Sequence, residues 1–152
     1  MTNDHSLLRP KVFVIHGRDE ENLQSLKTVL RERFGLIPVV MKEQPDGGLT
    51  LIEKFERLAE QCCFAVVLLT PDDHVLVDPE GEGTWQPRGN VLFELGWFCA
   101  RLHRERILFL CRRGTHLPSD FSAVMQKVFI QSVDEPDVVG KMEMEFRSQN
   151  II

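Results

Sequence analysis

The sequence lacks several features that would define a class of function by themselves. No apolar stretch approaches the roughly 20 residues that a transmembrane helix needs, so we expect this segment to stay out of membranes. The first residues contain no apolar run of the kind found in secretory leaders, so we expect none. The four cysteines contain no CxxC pair and the five histidines are scattered, which argues against a zinc site or a disulfide framework. We therefore expect a cytoplasmic protein with reduced thiols and no bound metal.

Clustered positive charge is also missing. The 152 residues carry a formal net charge of -5, and the arginine-rich stretches at 101–106 and 112–113 are short. Binding to a nucleic-acid polymer depends on lysines and arginines gathered on one face, so we expect no such partner. Neither a GxGxxG nor a Walker glycine pattern occurs, and no strong phosphate-binding motif is therefore evident.

Strand patterns alternate with helix patterns along the chain. Apolar runs typical of buried strands occupy 11–17, 36–41, 64–70, 106–111 and 127–131. Helical spacing occupies the intervals and the C-terminal end, and the capping box Thr50-x-x-Glu53 opens the second helix. This alternation predicts parallel βαβ units. We expect an N-terminal extension at 1–10 and a single α/β domain over 11–152, a flavodoxin-like three-layer fold whose five-stranded parallel sheet has the order 2-1-3-4-5.

That strand order predicts a ligand crevice at the carboxyl ends of strands 1 and 3. His16, Gly17 and Arg18 follow strand 1, where backbone N–H groups and a helix start often meet a phosphate. We take Arg18 as the candidate for a phosphate or adenosine contact, although the acids at 19–21 suit helix capping equally well. The segment 71–87 is longer than an ordinary loop, and we expect an irregular lid or a partner-facing segment there.

A single glutamate interrupts the apolar stretch GNVLFELGWF at 89–98. On a helical wheel one face gathers the residues expected to pack on the sheet: Val91, Leu95, Phe98, Cys99 and Leu102. Asn90, Glu94 and Trp97 border that face and combine an amide, a carboxylate and a stacking surface, which suits a nucleotide or nucleoside. A structural explanation stays open, because the helix dipole stabilises a carboxylate close to the first turn.

Five stretches resemble the bacterial TIR-like domain: VFVIHGRDEE, EQPDGGLTLIEKFE, FAVVLLTPDD, RGNVLFELGWFCARLHRERILFL and LPSDFSAV. The resemblance is to the TIR effector domains of the cyclic-nucleotide-triggered anti-phage systems CBASS and Pycsar, including those fused to STING-like sensors. It implies a TIR fold in a bacterial cytoplasmic protein, and NAD+ glycohydrolase (NADase) activity with Glu94 as the catalytic residue. NAD+ would be the substrate, with no cofactor. The substrate-binding candidates are His16, Gly17, Arg18, Asn90, Trp97 and Gly48.

Better-known TIR NADases carry a Trp-x-x-x-Glu pattern on this helix. Here the position four before Glu94 is Asn90, and Trp97 follows the glutamate. The loop at 43–50 matches the BB loop of TIR proteins, and its Gly47-Gly48 pair allows backbone freedom, although any tight turn uses such residues. The resemblance implies a homo-oligomer that forms through this loop and is activated by assembly, with a cyclic-nucleotide sensor in cis or in trans.

Three other interpretations are open at this point. A non-catalytic TIR self-association and signalling module would use Glu94 only structurally. A nucleoside deoxyribosyltransferase-like enzyme would also place a glutamate near a ribosyl carbon. A receiver-type phosphoacceptor would use Asp72 or Asp73 after strand 3, but the lysine that it needs at the end of strand 5 is missing. The pattern leaves open whether the NADase product is ADP-ribose or a cyclic isomer.

Overall fold

The computed structural model describes residues 9–76, 78–122 and 124–152, so residues 1–8 of the expected N-terminal extension lie outside it. Its strands are β1 (Lys11–Ile15), β2 (Ile37–Val39), β3 (Phe64–Leu69), β4 (Asp73–Val75), β5 (Thr84–Gln86), β6 (Ile107–Arg112) and β7 (Lys127–Phe129). Five of them form one all-parallel sheet in the order β2-β1-β3-β6-β7. The flavodoxin-like order is therefore confirmed, because β4 and β5 pair with each other outside this sheet.

Helices cover both faces of the sheet. They are α1 (Glu20–Thr28), α2 (Leu51–Ala59), α3 (Gly89–Arg101), α4 (Ser119–Ser122) and α5 (Pro136–Ser148), and a π-helical turn at Val29–Arg33 prolongs α1. Buried side chains of α1 and α5 pack on one face, and those of α2 and α3 pack on the other. All six residues of β3 are buried, as expected for a central strand between two helical layers.

Side chains on one face of β1 pack against α2 and α3. Val12 and Val14 face the layer of α1 and α5, whereas Phe13 and Ile15 face the opposite layer. The ring centroid of Phe13 lies 5.5 Å from that of Phe55 on α2 and 5.0 Å from that of Phe98 on α3. Full burial of one such phenylalanine contributes about 1.5–3 kcal/mol. This aromatic cluster fixes the position of both helices beside the carboxyl end of β1.

Polar contacts fix the starts of two helices. The Glu53 N–H donates to the Thr50 hydroxyl over 3.3 Å and the Thr50 N–H donates to the Glu53 carboxylate over 2.8 Å, which confirms the predicted capping box of α2. In α1 the buried Asn22 amide donates to the Gln131 carbonyl over 3.1 Å and accepts from the Val133 N–H over 2.9 Å. This side chain therefore joins α1 to the loop after β7.

The prediction of an irregular segment at 71–87 is wrong. Within it β4 and β5 form an antiparallel hairpin, and the ring centroids of His74 and Trp85 lie 4.9 Å apart. Gly83 has φ +72°, and a Cβ atom there would lie 2.7 Å from His74 Nε2. Strands of three residues are too short to show an alternating pattern, which explains why sequence reasoning missed them.

Candidate active site

Glu94 lies at the edge of the core on α3. Val91, Leu95 and Phe98 are fully buried against the sheet, as the helical wheel predicted, and Glu94 is partly buried beside them. Because α3 begins at Gly89, Glu94 is its sixth residue and belongs to the second turn, and the first turn has no acidic residue. Glu94 thus lies just beyond the first turn, where the helix dipole, which acts mainly within that turn, contributes little to the stability of the carboxylate.

The larger of two cavities beside Glu94 is apolar. It has a volume of about 400 Å³, and Phe93 lines it together with Leu51, Ile52 and Phe55 of α2. Leu51 is 70% exposed, Ile52 57% and Phe93 56%, which is unusual for large apolar side chains that sit so close together. The walls of this cavity suit a flat, largely apolar ring.

The smaller cavity is polar and adjoins the first. It has a volume of about 140 Å³, and its polar lining comes from His16, Lys42, Arg88, Asn90 and Glu94. Met41, Asn90 and Glu94 line both cavities, so the carboxylate stands where an apolar space meets a polar one. A molecule with a ring at one end and a sugar phosphate beyond it would pass directly beside Glu94.

The carboxylate of Glu94 has no polar partner within the ranges that the structure describes. Burial raises its pKa to about 7, because the ionised form has lost water without gaining a donor. Near neutral pH Glu94 therefore exchanges readily between the protonated and ionised forms. A ligand that brings positive charge or hydroxyl donors would favour the ionised form.

His16 presents a hydrogen-bond acceptor to the smaller cavity. Its Nδ1 lies 3.0 Å from the Gly17 carbonyl oxygen, and because a carbonyl only accepts, Nδ1 carries the proton. Burial lowers the pKa of His16, so the ring is neutral near pH 7 and Nε2 keeps a free lone pair. That arrangement suits a sugar hydroxyl better than a phosphate.

Gly17 packs closely against the side chain of Asp72. A Cβ atom there would lie 1.8 Å from Asp72 Oδ2, where the turns after β1 and β3 approach each other. The Thr70 hydroxyl donates to Asp72 Oδ1 over 2.8 Å, whereas the buried Oδ2 has no partner among the described residues. The smaller cavity brings the predicted residues His16, Gly17 and Asn90 together with Glu94. Its lining follows β1 and β2 and includes the start of α3, whereas the cavity at the carboxyl ends of β1 and β3, where the crevice was predicted, is the one that Arg18 lines.

Three predicted substrate-binding residues line neither cavity: Gly48 of the loop described below, and Trp97 and Arg18, whose side chains contact other residues. The ring of Trp97 packs edge-on against Phe55 and Phe98, with centroid distances of 5.2 and 5.1 Å. Arg18 Nε lies 3.4 Å from Asp73 Oδ1, and Arg18 lines a separate open cavity of about 410 Å³. The structure therefore brings neither side chain to Glu94.

The loop at 43–50 frames the larger cavity without entering it. Gly48 is exposed with φ +73°, and no atom would lie within 4 Å of a Cβ added there. Met41 before the loop and Leu51 after it line the cavity, and Asp46 Oδ1 is held by Lys54 Nζ at 2.7 Å. The tip of the loop is thus exposed, whereas the residues that flank the loop line the larger cavity.

Sequence reasoning missed five residues that line the two cavities. Three are apolar residues of the larger cavity and two are basic residues of the smaller one: Leu51, Ile52, Phe93, Lys42 and Arg88. The apolar residues did leave a signal, because Phe93 lies outside the apolar face that the helical wheel assigned to α3. Large apolar side chains outside the buried face of a helix often mark a binding surface. Arg88 and Lys42 left no comparable signal in the sequence.

Two further findings concern metals and membranes. In the part of the chain that the structure describes, no group of three or more histidine, cysteine, aspartate or glutamate side chains is placed to hold a metal ion. Over the same part, none of the helices combines the length and the hydropathy required to cross a bilayer. The four cysteines are free thiols.

Comparison with known proteins identifies the family. Residues 11–147 match the family described as CAP12/Pycsar effector protein, TIR domain. The chain is 39% identical over 115 residues to uncharacterized protein YuaY of Escherichia coli (strain K12), an alignment that covers 76% of this chain and 38% of that protein. It is 40% identical over 118 residues to Pycsar effector protein BcPycTIR of Burkholderia cepacia, with coverages of 75% and 38%.

A more distant relative extends the comparison beyond bacteria. Protein tirC of Dictyostelium discoideum is 30% identical over 122 residues, which covers 74% of this chain and 60% of that protein. The chain thus spans 38% to 60% of the length of these relatives. Since the family match extends over most of its own length, this chain belongs to the family of CAP12/Pycsar effector TIR domains.

Proposed function

We propose that this domain is an NAD+ glycohydrolase that cleaves the bond between nicotinamide and ribose, with Glu94 as its catalytic carboxylate. The observation that carries the proposal is the position of Glu94 between an apolar and a polar cavity, with no partner among the described residues. The resemblance to TIR NADases and the family membership point to the same reaction class.

The reaction needs one carboxylate. Nicotinamide leaves the sugar as a neutral molecule because its ring nitrogen is already cationic in NAD+, so no general acid is required, unlike in most glycosidases. As the bond breaks, its electron pair leaves with nicotinamide and positive charge develops on the ribosyl carbon, which then forms a bond to a water oxygen, with loss of a proton, or to the adenine ring. The ionised carboxylate of Glu94 stabilises that charge, and it does so more strongly in a partly dehydrated site than in bulk water.

The unusual pKa of Glu94 fits this role. A buried carboxylate with a pKa of about 7 is poorly stabilised in its ionised form by the surrounding protein. The cationic nicotinamide ring and the ribose hydroxyls would provide the missing charge and donors, and binding would thereby favour the ionised form. The main partner of the ionised carboxylate is then the reacting sugar, on which the positive charge develops in the transition state.

We further propose that the domain acts as an effector in anti-phage defence and is activated by assembly through the loop at 43–50, in response to a cyclic-nucleotide sensor in cis or in trans. The relative from Burkholderia is named a Pycsar effector protein, and this chain covers 38% of its length. Exposed Leu51, Ile52 and Phe93 at the mouth of the larger cavity offer an apolar surface beside the loop. Ordering of the loop by a second copy would narrow the opening above Glu94.

The decisive experiment measures nicotinamide release from NAD+ by concentrated protein. We expect release by the wild type and a loss of at least about a hundredfold in Glu94→Gln, since the substitution removes the charge and keeps the shape. Glu56→Gln is the matched control, because Glu56 is an exposed carboxylate on α2 and we expect wild-type activity from it.

Other outcomes would select other functions. Equal rates in wild type and Glu94→Gln would remove the catalytic role, and no release from either, combined with self-association of both, would favour the non-catalytic assembly module. Transfer between purine and pyrimidine deoxynucleosides without nicotinamide release would indicate a nucleoside deoxyribosyltransferase-like enzyme.

A further inference from the structure

Arg88 differs from the other basic residues in the described ranges. It is partly buried immediately before α3 and lines the smaller cavity, yet no described residue pairs with its guanidinium or accepts a hydrogen bond from it. Every other buried or partly buried lysine or arginine of those ranges has a carboxylate or carbonyl partner: Lys27, Lys54, Arg106, Arg112 and Lys127. Within those ranges the guanidinium of Arg88 is thus an unpaired cation at the wall of a cavity, where it is available to an external anion.

The surroundings of Arg88 restrict what that anion is. Lys42 adds a second positive charge to the smaller cavity, although its ammonium group is shared with Glu20. Glu94 is the one carboxylate among the described residues that line this cavity, and it lies on the border with the apolar cavity. A ligand whose anionic group binds beside Arg88 would therefore extend past Glu94 if it also enters the apolar cavity.

The larger cavity has no cationic residue in its described lining. Phe93, Leu51 and Ile52 make it a poor environment for a phosphate and a good one for a flat ring. The two cavities thus differ in the parts of a nucleotide that they accept. Glu94, which lines both, lies where a ring and a sugar phosphate would be joined.

We propose that Arg88 is the residue that binds the diphosphate of the dinucleotide, so that NAD+ lies with its diphosphate in the polar cavity and its nicotinamide ring in the apolar one. This inference rests on the proposed function, because it takes NAD+ as the ligand. The planar guanidinium donates two parallel hydrogen bonds to a phosphate. Arg18, by contrast, is paired with Asp73 and lies outside both cavities.

This assignment has a consequence for specificity. Nicotinamide riboside contains the same scissile bond as NAD+ but no phosphate. If Arg88 binds the diphosphate, its removal weakens binding of NAD+ and ADP-ribose and leaves nicotinamide riboside unaffected. A purely structural role for Arg88 would instead change the kinetics of both substrates together.

The test compares wild type with Arg88→Gln, Arg88→Lys and the control Arg57→Gln, which removes an exposed arginine of α2. Nicotinamide release yields KM for NAD+ and for nicotinamide riboside, and calorimetry yields Kd for ADP-ribose without any need for catalysis. We expect Arg88→Gln to raise KM for NAD+ and Kd for ADP-ribose about tenfold or more, as for a lost hydrogen bond between charged groups. KM for nicotinamide riboside should stay within about twofold of the wild-type value.

The remaining variants sharpen the result. Arg88→Lys should recover part of the affinity for ADP-ribose, because it keeps the charge but not the planar pair of donors. Arg57→Gln should match the wild type, and added salt should reduce the difference between wild type and Arg88→Gln.

The possible failures are distinguishable. Unchanged KM for NAD+ and unchanged Kd for ADP-ribose in an active Arg88→Gln variant would overturn the inference and leave the proposed function intact. Binding of ADP-ribose that depends on Arg88, without nicotinamide release by the wild type, would support the anion site and overturn the proposed reaction. If the wild type neither binds ADP-ribose nor releases nicotinamide, both proposals are wrong.

Discussion

The substitution Glu94→Gln should stabilise the folded protein as the pH rises. Burial raises the pKa of Glu94 to about 7 from an ordinary value of 4.5. Because the folded pKa is the higher one, the native state holds the proton more tightly than the unfolded chain does. Below the unfolded pKa both states are protonated and folding carries no penalty from this group. As the pH rises through the folded pKa, the native state must bury a charge and loses stability.

The size of this effect follows from the two pKa values. One pKa unit corresponds to about 1.36 kcal/mol, so a difference of about 2.5 units amounts to about 3 kcal/mol once the pH exceeds 7. Glutamine does not ionise, so the free energy of unfolding of Glu94→Gln does not fall with pH for this reason. The stability advantage of Glu94→Gln should therefore grow by about 2–3 kcal/mol between pH 5 and pH 8, which corresponds to about 5–10 °C in Tm for a chain of this size.

Thermal and urea denaturation of both proteins across this pH range provides the measurement. The informative quantity is the change with pH in the difference between the free energies of unfolding of the two proteins. Any effect of the amide on packing adds the same amount to this difference at every pH. Glu56→Gln, in which the carboxylate is exposed, should differ from the wild type by the same small amount at every pH. A difference between wild type and Glu94→Gln that is independent of pH, or that shrinks as the pH rises, would refute the argument that burial sets this pKa.

Three further predictions concern catalysis, the loop and the fold. The kcat/KM for NAD+ should rise about tenfold per pH unit below about 7 and then level off, because only ionised Glu94 stabilises the transition state; a profile that falls through neutral pH would contradict this. Gly48→Leu and Gly35→Leu should each lower the free energy of unfolding by about 1–2 kcal/mol, because both glycines have positive φ and an added Cβ would meet no neighbour among the described residues. Only Gly48→Leu should suppress nicotinamide release by concentrated protein, and equal activities of the two variants would count against a role of the loop. Asn22→Ala should lower the free energy of unfolding by about 2 kcal/mol, since the Val133 N–H loses its acceptor, and an unchanged Tm would show that water replaces the side chain.

The architecture was predictable because its signals are local. Apolar runs separated by helical spacing predict a parallel sheet with helices on both faces, and the continuous apolar run at 64–70 predicts the central strand. The stripe on α3 likewise predicts that Glu94 borders the buried face, because neighbouring positions on one helix determine which side chains share a face. The hairpin within 71–87 escaped prediction because three-residue strands among Gly, Pro and Asp show no periodicity.

The composition of the site depended on the tertiary structure. Pattern alone grouped Trp97 with Glu94, whereas the packing of α3 against Phe55 turns the indole toward the core. The apolar lining of the larger cavity forms because Leu51 and Ile52 of α2 lie near Phe93 of α3, about 40 residues further along the chain. No local sequence pattern predicts that these two helices lie side by side.

Sequence alone therefore determined the five strands of the main sheet, its principal helices and the place of Glu94 beside the buried face of α3, because these depend on residues that are close together in the chain. The sheet order was predicted from the alternation of strands and helices and from the general rules that connect parallel strands. The tertiary structure decided which side chains surround that carboxylate, which of them have partners and which space is apolar. These properties arise from segments brought together by burial of the core. The lack of a partner for Arg88 among the described residues is one of them. A free guanidinium can be recognised only after the partners of the other charges are known.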